Sequence, residues 1–63
     1  MFIRWQGNII NAGCIEFVEK FTYPKRYRIG IWWKHTSHTE YNFDTEEVRD
    51  TEFDKLHNLL KGE

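Results

Sequence analysis

One cysteine, one proline, one methionine and four glycines are spread over 63 residues. A lone Cys14 forbids an internal disulfide, which sets aside the small secreted scaffolds held by cysteine pairs and points to a reducing setting. No Pro-, Gly- or Ser-rich tract interrupts the chain, so residues 1–63 read as a single domain without a linker or repeat. No apolar run approaches the ~20 residues of a bilayer span, and the N-terminus lacks the basic-then-apolar layout of a signal peptide. The expectation is a cytoplasmic protein without membrane contact. His35, His38 and His57 have neither a second cysteine nor a matching acidic ligand beside them, so no metal and no cofactor are expected. Ser37 lies near His35 and His38 but lacks an acid to orient either imidazole and a glycine-rich oxyanion turn, so no catalytic residues are assigned and the chain reads as a non-enzyme.

Aromatic side chains are plentiful: three tryptophans, three tyrosines and five phenylalanines. A chain of this length buries only about 60% of the surface its unfolded form exposes, and each large ring contributes about 150–250 Å² of burial. Aromatics therefore compensate for a small core, and self-association is the other available compensation. Charge is divided along the chain. Residues 1–43 carry Arg4, Lys20, Lys25, Arg26, Arg28 and Lys34 against Glu16, Glu19 and Glu40. Residues 44–63 carry seven carboxylates against Arg49, Lys55 and Lys61. A mildly basic sheet and an acidic helix follow, which is not the footprint of a general nucleic-acid binder. Glu46, Glu47, Asp50, Glu52 and Asp54 form an acidic helix face that suits either solvent or a basic surface on a target.

The pattern predicts strands at about 2–6, 9–10, 14–21, 26–35 and 39–43, and a helix at about 45–61. Gln6-Gly7-Asn8 and Asn11-Ala12-Gly13 supply turns, Pro24 breaks the pattern between two strands, and Cys14 falls in an apolar strand as a small hydrophobe. The fold class expected is α+β: an antiparallel meander of about four strands with one C-terminal helix on one face. A three-residue loop at 36–38 pairs Trp33 with Tyr41, Ile31 with Phe43 and Lys34 with Glu40, matching apolar with apolar and charge with opposite charge. Tyr27, Ile29, Ile31 and Trp33 then face the helix, while Arg26, Arg28, Gly30, Trp32 and Lys34 face outward. Asp44 and Glu47 fit a capping box, with Phe43 and Val48 as a hydrophobic staple. Val48 or Arg49, Phe53, Leu56, Leu59 and Leu60 make an apolar stripe at helical spacing.

Adjacent Trp32 and Trp33 in a strand must point to opposite faces, so one indole leaves the core. Arg26, Arg28, Trp32 and Lys34 are the candidate partner- or ligand-binding residues. They suit a protein interface, where aromatic and arginine anchors dominate affinity. They also suit a nucleotide, with cations on phosphate and the indole on a base. The small aromatic meander closed by Tyr-Asn-Phe-Asp-Thr-Glu-Glu and an acidic helix resembles the very short proteins of bacteriophages and mobile elements. That resemblance implies a homo-oligomeric, stoichiometric inhibitor that blocks a target protein such as a host defence factor, in the host cytoplasm. Its alternative implication is a sponge that sequesters a nucleotide or nucleotide-derived signal. The expected partners are a second copy, a target protein and, in the alternative, a nucleotide.

Overall fold

The computed structural model describes residues 1–22 and 25–62; the break expected at Pro24 lies outside them. Strand β1 (Phe2–Trp5) pairs antiparallel with β2 (Asn8–Asn11), and a short 3₁₀ turn (Ala12–Cys14) leads into β3 (Ile15–Thr22), β4 (Tyr27–Trp33), β5 (His38–Phe43) and the helix α1 (Glu46–Lys61). The class is α+β, with antiparallel strands and a C-terminal helix. Among the described residues, five strands divide into a two-stranded sheet, β1-β2, and a three-stranded sheet in the order β3-β4-β5. The strand count is close to the four expected, but the strands do not join in a single meander. The first hairpin instead folds its Ile3, Trp5 and Ile10 into the same core as Ile29, Ile31 and Leu56. A small chain gains more from adding these apolar side chains to the core than from widening the sheet.

The hairpin turn is a two-residue loop, since Trp5 pairs with Asn8. Gln6 (φ 53°) and Gly7 (φ 73°) both lie in the left-handed region, the conformation whose twist suits a tight hairpin. Glycine is suited to that backbone angle. Gln6 is tied down by its side-chain amide, which donates to Glu52 Oε1 of α1 at 2.7 Å. Cys14 ends the 3₁₀ turn and is exposed, not buried in a strand as the apolar run around it predicted.

In the three-stranded sheet β4 is central. Its partners on β3 include Phe17 opposite Trp32, Glu19 opposite Gly30 and Phe21 opposite Arg28. An irregularity between Ile15 and Phe17 shifts the register, so Ile15 and Val18 pack against the core while Phe17 pairs with the outward Trp32. A bulge adds one residue and so reverses which side chains face inward.

Within β4 the face assignment made from the sequence holds, with Ile29, Ile31 and Trp33 on the core side and Arg28, Gly30 and Trp32 on the other, but the β4–β5 register does not. Tyr41 lies opposite Ile29, Phe43 opposite Tyr27 and Glu40 opposite Gly30, in place of Trp33, Ile31 and Lys34. The loop from 33 to 37 is longer than the expected three residues and still odd in number. An even slip keeps every side chain on its face. The observed register is favoured by contacts that one-to-one matching overlooks: Arg28 reaches Glu40 at 3.0 Å, Trp33 Nε1 donates to Thr39 Oγ1 at 3.0 Å, and Trp32 stacks on His38.

Helix α1 starts one residue later than the capping-box reading. Thr45 is the N-cap, and its Oγ1 accepts from Val48 N at 3.1 Å. Asp44 therefore precedes the cap, Glu47 is not at the boxing position, and Val48 is exposed. Arg49 takes the inward place on the stripe, at 5% exposure. Its guanidinium donates to Phe21 O (3.1 Å) and Thr22 Oγ1 (3.0 Å), lies over the Tyr27 ring and pairs with Asp50 at 2.9 Å. Arginine thus fastens the start of the helix to the end of β3, its stem packing at the place on the stripe that the spacing left to Val48 or Arg49. Phe53, Leu56 and Leu60 continue the stripe, whereas Leu59 turns partly to solvent. Trp5 joins hairpin and helix by donating Nε1–H to Glu52 O at 3.1 Å and meets Tyr41 edge to face at 4.8 Å.

Candidate interaction face

The outward side of β3-β4-β5 is organised in rows across the strands. Phe17, Trp32 and His38 form one row, Glu19, Gly30 and Glu40 the next, and Phe21, Arg28 and Asn42 the third. In the aromatic row Phe17 and Trp32 stack with centroids 4.9 Å apart at 9°, and Trp32 and His38 at 4.8 Å and 10°. These separations equal the spacing of neighbouring strands, about 4.7–4.9 Å. Near-parallel rings that close must overlap face to face, so the three rings stand on edge across the sheet and present their edges outward. Both faces of the Trp32 indole are occupied within the chain.

Gly30 makes this arrangement possible. A Cβ at position 30 would lie 2.4 Å from Trp32 Cζ3 and 2.7 Å from Cη2, so the indole leans over a position that only hydrogen leaves open. Beside the ladder runs a chain of charge. His38 Nε2 contacts Glu40 Oε2 at 2.9 Å, and Arg28 Nη1 donates to Glu40 Oε1 at 3.0 Å. The hydrogen bond with His38, together with the positive charge of Arg28, holds the Glu40 carboxyl below the ordinary carboxylate range despite partial desolvation. Arg28 Nε is buried and has no acceptor among the described residues.

Of the four residues singled out from the sequence, Arg28 and Trp32 lie on this face, two rows apart. Arg26 is exposed just before β4, and Lys34 is exposed just after it, with its backbone N–H donating to Cys14 O at 2.9 Å. From 26 to 34 an extended chain covers about 26 Å, so the four do not converge on one point. Arg28 is already paired with Glu40, and no indole face of Trp32 is free for a base to stack on. Among the described residues no enclosed pocket occurs. Sequence reasoning missed Phe17, Phe21 and His38 as parts of the face; it placed Gly30 and Glu40 outward but set Glu40 opposite Lys34 in place of Gly30. Phe17 was hidden by the bulge and His38 by the register slip, which also concealed the contact of Glu40 with Arg28; the four-residue spacing of Phe17 and Phe21 was the one signal available.

These features define the chain as a small α+β domain that presents an aromatic and charged sheet face to solvent. No protein family, curated protein or solved structure matches it.

Proposed function

We propose that this protein is a non-enzymatic binding module that blocks a target protein stoichiometrically through the outward face of β3-β4-β5. The observation that carries the reading is the Phe17–Trp32–His38 ladder, an aromatic row held edge-on at one end of a solvent-facing sheet face, with Glu40 in the next row and Arg28 in the one beyond. Aromatic and arginine side chains are the residue types enriched in binding hot spots. The ladder is also preorganised: its rings are fixed by stacking within the chain, so little side-chain entropy remains to be lost on association. A protein surface uses ring edges and a paired guanidinium as they stand, whereas a stacked base requires an open ring face.

The test is photo-crosslinking in cells that express the protein, with p-benzoylphenylalanine at position 17 on the face and at position 51 on the exposed side of α1. Protein adducts at position 17 that disappear on Trp32→Ala are expected. Equal adducts at both positions, or nucleotide adducts alone, overturn the proposal.

A further inference from the structure

We infer that the free edge of β5 pairs antiparallel with β5 of a second copy, centred on Tyr41, to give one continuous six-stranded sheet. Among the described residues β5 ends the order β3-β4-β5, and no strand pairs with its outer side. The backbone shows which groups point that way. Trp33 N donates to Ser37 O, which makes residues 33 and 37 a hydrogen-bonded pair; the alternation of an antiparallel ladder then turns Thr39, Tyr41 and Phe43 toward β4. The amides and carbonyls of His38, Glu40 and Asn42 face outward from the edge. The other edge strand, β3, is interrupted by its irregularity between Ile15 and Phe17 and carries Glu16, Glu19 and Lys20, features that block strand addition. From His38 to Phe43 there is no lysine, no proline and no such irregularity, and the one carboxylate, Glu40, is engaged by Arg28 and His38.

The sequence of the strand selects a second copy as the occupant and sets the register. A two-fold axis normal to the sheet keeps the core sides of both copies together, and opposed residues then share a face, so the axis passes through a residue and not between two. Two such registers overlap five residues of β5. Centred on Glu40, the axis sets two Glu40 carboxylates level, a like-charge pair. Centred on Tyr41, it sets Glu40 against Asn42, Thr39 against Phe43 and Tyr41 against Tyr41. Carboxylate meets amide, β-branched meets aromatic, and aromatic meets aromatic, all favourable across strands. His38 comes level with Asp44, imidazole beside carboxylate, and Tyr41 stays partly exposed beside Trp5. Glu40 and Asn42 then form hydrogen-bonded pairs with about four backbone bonds in all, and strand addition draws its affinity from such bonds. The pairing leaves both outward faces open and joins them. Three strands about 4.8 Å apart and seven residues long cover about 340 Å² in projection. Two copies cover about 700 Å², close to the ~800 Å² that one partner contributes to a standard interface. That enlargement rests on the reading of the face as a target surface; the pairing itself does not.

Amide hydrogen exchange followed by NMR tests the edge on the unsubstituted protein. On going from micromolar to millimolar protein, exchange of the Glu40 and Asn42 N–H groups should slow by about tenfold, while Val18 and Lys20, whose N–H groups point out from β3, keep their rates. Charge at position 42 tests the register. Asn42→Lys sets a cation level with Glu40 of the second copy and Asn42→Glu sets a carboxylate there. Sedimentation equilibrium should show tighter dimerisation with the first and about tenfold weaker dimerisation with the second. On the Glu40-centred axis Asn42 meets His38 instead, and the order reverses. Circular dichroism confirms that both variants are folded. Exchange at Glu40 and Asn42 that does not change with concentration, equal slowing on β3, or tighter dimerisation of Asn42→Glu overturns the inference. A monomer at millimolar concentration whose position 17 still captures proteins in cells refutes the pairing and leaves the proposed function standing. A dimer with the expected order at position 42 but no capture supports the pairing and refutes the proposed function.

Discussion

Replacing Gly30 with alanine introduces a methyl carbon 2.4 Å from Trp32 Cζ3, 2.7 Å from Trp32 Cη2 and 3.3 Å from Phe21 Cε1. Carbon atoms rest about 3.5–4.0 Å apart, so the indole must move by about 1 Å or more. It cannot do so and keep parallel overlap with both Phe17 and His38. Each stacked pair contributes about 0.5–1.5 kcal/mol beyond area burial, which puts about 1–3 kcal/mol at risk. The backbone offsets part of this. Gly30 is not in the left-handed region, and a compatible Gly→Ala change stabilises by about 0.4–1 kcal/mol through the unfolded chain. The net expectation for Gly30→Ala is a loss of about 0.5–2 kcal/mol, or about 3–12 °C in Tm for a domain of this size. Thermal unfolding followed by near-ultraviolet circular dichroism reads both the Tm and the aromatic packing. The decisive measurement is a double-mutant cycle with Trp32→Ala, in which the Gly30→Ala penalty should vanish or change sign once the indole is gone. An equal penalty with and without Trp32 refutes the claim that glycine is required there by the ladder.

Thr45→Ala should cost about 1 kcal/mol by removing the helix cap, while Asp44→Ala changes stability by only a few tenths; the reverse order in urea titrations contradicts the observed cap. Arg49→Ala should cost about 2 kcal/mol, because the Phe21 carbonyl and the Thr22 hydroxyl lose their buried donor, and it should lower the urea midpoint at unchanged m. Acid should weaken the fold partly through Glu40. Its folded pKa lies below the unfolded value, so its contribution is complete above the ordinary carboxylate range and is lost as pH falls through the folded value. Glu40→Gln should therefore flatten the acid limb of stability against pH, and parallel curves for variant and parent contradict the Glu40 pairing. Asp50 acts in the same direction: desolvation pushes its pKa upward, but hydrogen bonds from Arg49 and Lys20 outweigh that push, so Asp50→Asn should flatten a second part of the same limb.

Strand and helix positions were legible because they follow from local periodicity, which the chain carries in its own order. The alternation from Tyr27 to Trp33 placed Ile29, Ile31 and Trp33 inward and Trp32 outward. The apolar stripe of α1 ended near Lys61, as its spacing predicted. Local signals were less decisive where two residues could serve one purpose. Asp44 and Thr45 are both good caps, and the role falls to Thr45, whose Oγ1 accepts from Val48 N.

The partner surface was legible only in outline. From the sequence alone it follows that the chain is α+β and aromatic-rich, with a mildly basic sheet region, an acidic helix and Trp32 on the far side of the sheet from the core. Its neighbours there depend on register and on one bulge, and neither is encoded by any single stretch. A slip of even number leaves the hydrophobic pattern unchanged, so the pattern cannot choose between registers. Contacts between strands make that choice: Arg28 with Glu40, Trp33 with Thr39 and Trp32 with His38. The sequence determined that an indole leaves the core; only the tertiary structure decided that Phe17 and His38 cover its two faces over Gly30, because stacking is a property of side chains brought together from three strands.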